Sequence, residues 1–276
     1  MVPMLDASGY LDRIDYSGPT NPSAETLRAL HRAHLLAVPF ENLDIHRRPI
    51  ICDEAAFLHK IINQRRGGFC YELNGAFAAL LRSLGFQVTL LSARVGGADG
   101  NYGRAFAHLA LRVALSPSHL SWLADVGFGD SFLEPLLLQP DLAQPQIGRV
   151  YRLTEEKNQS GGEIDRMFSM EVKAEDSPSQ TRRDEQHEKW TRKYSFSLQP
   201  YHLADFASMC HYQQTSPDSH FTRQRICSRA TPEGRITLSD LKLIQTRNGS
   251  RTERELAGDT EWRAVLLELF HINLPA

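Results

Sequence analysis

Apolar residues recur with a helical period through the first third of the chain and with a strand period beyond it. In NPSAETLRALHRAHLLAVPF, Leu27 and Leu30 and the apolar run from Leu35 to Val38 form one buried stripe. Asn21 is placed to cap that helix, Pro22 suits its first position, and Pro39 ends or bends it. DEAAFLHKIINQ predicts a second helix with Phe57, Ile61 and Ile62 on its apolar side. A third begins near Cys70, where Phe77, Leu80, Leu81 and Leu84 follow the i, i+3, i+4, i+7 pattern and define one apolar face; Gly85 is a good stop.

After Gly85 the period falls to two. FQVTLLSARV, RAFAHLALRVAL, LSWLADVGFG, GRVYRLTE and RMFSMEVK read as strands, with GGADGNYG and SPSH as connections. EDSPSQTRRDEQHEKWTRK is polar throughout and predicts an exposed connection. GRITL, LKLIQT and RTEREL follow, with TPEG and RNGS as turns, and the Asn-Gly pair favours a tight hairpin. The expectation is an α+β chain in three lobes without internal repeats. It places a helical bundle over 1–85, an antiparallel β-barrel over 86–188 and a mixed lobe over 189–276.

Composition narrows the class. With 276 residues, 41% hydrophobic and 23% charged, the chain reads as an ordinary globular protein. A formal net charge of -2 lacks the basic excess of a nucleic-acid binder. No apolar run has the length of a membrane span, and MVPMLDASGY meets Asp6 too soon for a signal-peptide core. The expectation is a cytoplasmic protein with neither nucleic acid nor membrane as partner. Cys52, Cys70, Cys210 and Cys227 contain no CxxC pair and are expected as reduced thiols. His31 and His34 stand three apart on a helix, but without a third ligand nearby they read as solvated or capping residues, so no metal is expected.

The stretch RGGFC sets a cysteine in the first turn of the third helix, where unpaired N–H groups and the helix dipole favour a thiolate. Gly67 and Gly68 would allow a sharp turn and leave space for a substrate beside the sulfur. On those residues alone a nucleophile and a small buried helix-start residue are equally good readings. In RAFAHLALRV the alternation puts Leu109, Leu111 and Val113 on one face, with Phe106, His108, Ala110 and Arg112 on the other. If the following hairpin turns at Ser116 and Pro117, His108 lies directly across from Asp125. The imidazole would then give Nδ1–H to the carboxylate and keep Nε2 for the thiol. Singly, the histidine reads as structural and the aspartate as a turn residue; together with Cys70 they form a Cys–His–Asp set.

VPFENLDIH, RRGGFCYELNGAF, AHLAL and WLADVGFGD together resemble the arylamine N-acetyltransferase family. The resemblance also takes in YLDRIDYSGP, TSPDSHFTRQRICSRATPEGRITLSD and TRNGS, so it runs nearly end to end, and the length is similar to that of the compact bacterial-type members. It implies a helical bundle, a β-barrel and an α/β lid around a thiol-protease/transglutaminase-like core. It carries the catalytic roles to Cys70, His108 and Asp125, with Asp125 orienting His108, and it implies that Glu41 pairs with Arg66 to brace the Cys70 loop. The implied reaction moves an acetyl group from acetyl-CoA to an arylamine, hydrazine or arylhydroxylamine through an acetyl-Cys70, a ping-pong scheme suited to xenobiotic metabolism. Phe40 and Phe128 flank family motifs and are candidate walls for the acceptor ring, either also readable as core, which is the better reading of Phe40. The loop GGADGNYGR, with Gly103 and Arg104, would approach the CoA pyrophosphate, although it carries no phosphate-loop signature and reads by itself as a flexible hairpin loop. Still open are an amide synthase, a malonyl-CoA-preferring relative, a thiol hydrolase or transglutaminase, and a silent binding module.

Overall fold

Side-chain caps decide where the helices of the first lobe begin. In the computed structural model, which describes residues 7–97, 100–115, 120–156, 166–174 and 190–274, Ser23 and not Asn21 caps the helix Ala24–Ala37. The Ser23 hydroxyl accepts the Thr26 N–H at 3.1 Å. Asp53 caps Glu54–Leu58 through the Ala56 N–H at 3.1 Å, and the segment runs on as a wider turn, His59–Asn63, with i to i+5 geometry. The helix Cys70–Ser83 differs from expectation: every residue from Cys70 to Leu81 is buried, not one face. Helices Ala7–Arg13 and Glu54–Leu58 cover one side of it and strands Gln87–Val95 and His108–Ala114 the other. Gly85, at φ +90°, ends it as expected.

The middle lobe is an eight-stranded antiparallel sheet. Its order is Leu136–Leu137, Ser121–Ala124, His108–Ala114, Gln87–Val95, Thr191–Ser197, Met167–Ala174, Arg149–Glu156, Gln144–Gln146, and a bridge from Pro140 to Leu153 brings the far edge round into a nearly closed barrel. The period-two pattern sorts the two faces. Leu109, Leu111 and Val113 pack on the helical lobe, while Ala110 joins Leu91, Leu123, Tyr194 and Phe196 in the barrel's own core. Two expectations need correction. The hairpin pairs Leu111 with Ala124 and Val113 with Trp122, displaced by two residues from the expected register. A two-residue shift keeps the faces but leaves Asp125 just past its strand; the expected Ser116–Pro117 turn lies outside the described residues. Thr191–Ser197, assigned to the exposed connection and third lobe, is an interior barrel strand between Gln87–Val95 and Met167–Ala174, so the border at 188 falls one strand too early.

The third lobe is a five-stranded antiparallel sheet with helices Ala207–Thr215, His220–Arg223 and Asp259–Phe270. GRITL, LKLIQT and RTEREL are strands as expected, and a further strand, Ile226–Thr231, escaped notice because Ser228 and Arg229 interrupt its apolar pattern. Phe40–Glu41 of the helical segment is the edge strand, pairing Phe40 with Ser228. One face of this sheet carries Cys227, Leu238 and Leu243 against Trp262, Val265 and Leu266 of the last helix. The other face, with Ser228, Arg235, Thr237, Ile244 and Thr246, closes over a cavity at the junction of the three lobes. Among the described residues no helix is long and apolar enough to cross a membrane.

Candidate active site

Cys70, His108 and Asp125 meet where the central helix abuts the barrel. Cys70 is the first residue of its helix, His108 the first of its strand, and Asp125 the residue after Ala124 ends its own. His108 Nε2 donates to Asp125 Oδ2 at 2.7 Å, and Cys70 lines the same cavity as the ring. The ring is thus turned over relative to expectation: the carboxylate holds Nε2, which leaves Nδ1 for sulfur. Burial disfavours a charged His108, but the Asp125 charge and hydrogen bond outweigh it, with Cys70 adding to them, and push its pKa up to about 10. Burial likewise opposes ionised Asp125, yet His108, Asn74 and the Gly127 N–H hold its carboxyl below the ordinary range.

The carboxylate is fixed by residues the sequence reading passed over. Asn74, one turn on from Cys70, donates from Nδ2 to Asp125 Oδ1 at 2.9 Å and to Leu109 O at 2.6 Å, while its Oδ1 accepts the Val126 N–H at 2.9 Å. Gly127 N–H donates to Oδ1 at 3.0 Å. A Cβ on Gly127 would stand 2.8 Å from Cys70 Cα, so this glycine lets the Asp125 loop close on the helix start. His31 is neither solvated nor a cap. It is fully buried, donates Nδ1–H to Leu133 O at 2.8 Å and accepts the Asp125 N–H on Nε2 at 3.1 Å. Burial brings its pKa down to about 4, so it serves as a neutral brace. His34 is equally buried, with Nδ1 2.9 Å from Tyr10 Oη, and no group of metal ligands occurs among the described residues.

Behind Cys70 the pairing of Arg66 with Glu41 is present, at 2.8 Å and 3.1 Å. It belongs to a larger buried cluster. Arg66 also reaches Asp44 at 3.2 Å, and Lys60 Nζ stands 2.8 Å from Glu72, 3.1 Å from Asp44 and 3.6 Å from Glu41. Glu72 accepts the Phe69 N–H at 3.1 Å, the reciprocal half of a helix-start cap. Gly67 and Gly68 do not leave room for substrate. A Cβ on Gly67 would lie 1.9 Å from Pro39 O, and one on Gly68 would lie 2.6 Å from Glu72 Cβ. Gly67 lets the Cys70 loop press against the PFENLD segment, and Gly68, whose O accepts the Glu41 N–H at 2.9 Å, leaves room for the Glu72 side chain at the helix start.

The sulfur faces a cavity of about 680 Å³ lined by Phe40, Phe128, Phe221, Arg104 and Arg235 together with Cys70 and His108. Phe128 stands edge-on to the His108 ring at 5.2 Å, and Tyr194 packs 5.2 Å from the same ring. The sequence gives no signal for Tyr194, because its strand straddles the end of the polar connection and the start of the expected third lobe.

Known proteins are similar to this one along nearly the whole chain. A family model for N-acetyltransferase matches residues 23–276. The arylamine N-acetyltransferase pineal gland isozyme of Gallus gallus is 34% identical over 281 residues, covering 98% of this chain and 95% of the relative. The crystal structure of Nocardia farcinica arylamine N-acetyltransferase superposes with a TM-score of 0.84 at 34% identity, over 98% of this chain and 90% of that one. The chain belongs to the arylamine N-acetyltransferase family. A further family structure, the Mycobacterium marinum enzyme in complex with CoA, matches with a TM-score of 0.82 at 29% identity, over 97% of this chain and 93% of that one.

For a member of the arylamine N-acetyltransferase family, the loop before His108 is the expected neighbour of the donor. Arg104 does line the cavity, its guanidinium stacked over Tyr212 at 4.6 Å. Gly103 does not: its N–H is spent on Val95 O at 2.9 Å, and the Gly97 N–H on Asn101 O at 2.8 Å. The expected backbone cradle therefore loses those two donors, and Arg104 remains.

Proposed function

We propose that this protein transfers an acetyl group from acetyl-CoA to an arylamine, hydrazine or arylhydroxylamine, with Cys70 as nucleophile. The observation that carries the reading is a cysteine at a helix start and a buried histidine that line one aromatic cavity, the histidine Nε2 sitting 2.7 Å from a buried carboxylate. His108 takes the thiol proton on Nδ1, and the resulting cation is stabilised by Asp125. Cys70 Sγ attacks the thioester carbonyl; N–H groups at the helix start hold the oxyanion, and CoA leaves as its thiol with the proton that His108 held, which returns the imidazole to its neutral form. The acceptor amine then attacks the acetyl-Cys70 carbonyl. His108 assists as base, and the N-acetyl product departs as the thiolate re-forms.

Aromatic amines remain neutral nucleophiles at neutral pH, and Phe40, Phe128 and Phe221 offer faces and edges to an aryl ring. Arg104 supplies positive charge toward the donor. The four cysteines are free thiols, which supports the reducing, cytoplasmic setting expected for such xenobiotic chemistry.

The test is intact-protein mass spectrometry. Acetyl-CoA is expected to add one acetyl group, localised to Cys70 by peptide mapping, and an arylamine is expected to remove it with formation of the N-acetyl product. The Cys70→Ser variant should acquire none. Persistent acetylation of that variant would sink the assignment, and acylation only by malonyl or longer donors would favour a different branch of the family.

A further inference from the structure

Two of the four cysteines are brought together at the seam between the first and third lobes, and neither lines the reaction cavity. Cys52 stands beside Asp53, the cap of Glu54–Leu58, and Cys210 lies on the helix Ala207–Thr215. Gln214 joins the two segments. One turn on from Cys210, its Oε1 accepts the Ile50 N–H at 2.7 Å and its Nε2 donates to Ile50 O at 3.0 Å. The same Nε2 lies 3.2 Å from Cys210 O and 3.6 Å from Cys210 Sγ. From the other side, Cys52 Sγ lies 3.8 Å from Leu203 O, in the turn Leu203–Phe206 that leads into the Cys210 helix. Both cysteines pack in one apolar cluster.

The two thiols are unequal. Cys52 is half-buried, whereas Cys210 is buried. Interaction with the Cys210 thiol lowers the pKa of Cys52 against the effect of burial. Interaction with the Cys52 thiol, and then burial, raises that of Cys210. Cys52 is therefore the accessible partner that ionises first, and Cys210 the shielded one that keeps its proton. The Gln214 amide beside Cys210 Sγ can meet the charge that forms there when that proton leaves. Cys227 supplies the contrast. It is buried against Trp262 and Val265 with no second cysteine in its cluster, and burial raises its pKa.

We propose that Cys52 and Cys210 are an oxidation site, a thiol pair that hydrogen peroxide closes to a disulfide. The Cys52 thiolate attacks one peroxide oxygen: an S–O bond forms, the O–O bond breaks, and the hydroxide released takes the proton Cys52 gave up. Cys210 sulfur then attacks the sulfur of that sulfenic acid. The S–S bond forms, the S–O bond breaks, and hydroxide leaves as water with the Cys210 proton. Two thiols are oxidised by two electrons, and one peroxide is reduced to two waters. The bond would fasten segment 50–53 to the helix that gives Met209, Tyr212 and Gln213 to the cavity wall, without consuming Cys70. It holds whether or not the transferase reading does.

Each cysteine falls on its own tryptic peptide, 48–60, 67–82, 194–223 and 226–229. The test is therefore peptide mapping of the native full chain after brief exposure to hydrogen peroxide, with remaining thiols alkylated in urea. The expected product joins 48–60 to 194–223, lacks two hydrogens relative to the separate peptides, and is lost on treatment with dithiothreitol. Peptide 226–229 should stay alkylated. Cys210→Ala should abolish the link and leave Cys52 as a sulfenic acid captured by dimedone. The wild-type map decides the matter without that variant. Full alkylation of both cysteines overturns the proposal, as does oxidation of Cys52 to the sulfinic acid with no link. So does a link from Cys210 to Cys70, or oxidation of Cys227 in step with the pair.

Discussion

Asp125 converts His108 from a group that titrates near neutrality into one that keeps its proton to about pH 10. Because the folded pKa is raised above the ordinary 6.5, the stability this proton contributes is complete below about pH 6.5 and declines as pH rises toward about 10. Asp125 has the opposite sign: its lowered pKa contributes stability above the ordinary 3.8, lost as the medium is acidified below that value. Urea unfolding of wild type and His108→Gln at stepped pH should therefore converge on the alkaline side. Parallel stability curves across that window would show that the ring is not held as a cation. Cys70, His108 and Asp125 were legible because each residue type is unusual in its local pattern. The choice of ring nitrogen was not, since it depends on which way the imidazole enters the barrel core.

At the scale of the element, Lys60 shows why a local pattern undersells a charge. On a helix of ordinary pitch it reads as a solvated lysine, but the wider His59–Asn63 turn carries it inward to Glu41, Asp44 and Glu72. Burial opposes its charge, yet the three carboxylates together hold its pKa above the ordinary range. Glu72 feels the reverse: burial outweighs Lys60 and raises it. Lys60→Met would leave three buried carboxylates facing Arg66, and should cost roughly 3–5 kcal/mol in urea unfolding, as when one partner of a buried pair is removed. A loss of a few tenths would mean the cluster is hydrated and does not brace the start of the Cys70 helix. The same limit applies to Gly67 and Gly68. Their spacing from Cys70 announced something special, but the reason for it is the Pro39 carbonyl and the Glu72 side chain, both brought in by packing.

Across the whole molecule, Asn42 joins the helical segment to the third lobe. Fully buried, it donates to Phe221 O at 2.9 Å and Gln224 O at 2.6 Å and accepts the Ile226 N–H at 2.7 Å. Phe221 lines the cavity that also holds Cys70, so this one amide also sets the position of a wall of the proposed acceptor site. Asn42→Ala leaves three half-buried backbone groups without their partner and should destabilise by roughly 2 kcal/mol. The KM for arylamines should rise while acetylation of Cys70 by acetyl-CoA persists. An unaltered KM in a destabilised variant would confine Asn42 to lobe cohesion. The quoted motif PFENLD contains Asn42, yet nothing in the sequence shows that its partners lie about 180 residues away.

The sequence by itself determined most of the helices and strands, many of the faces they bury and the three residue types proposed to perform the chemistry. These follow from periodicity, caps and turn residues within a few positions of each other. Tertiary structure decided the hairpin register, the interior place of Thr191–Ser197, the second side of the Cys70 helix and the company kept by Lys60, Asn42 and Arg235. Those depend on which distant surfaces exclude water from one another. A polar residue reads the same in sequence whether it meets solvent or a partner from another lobe.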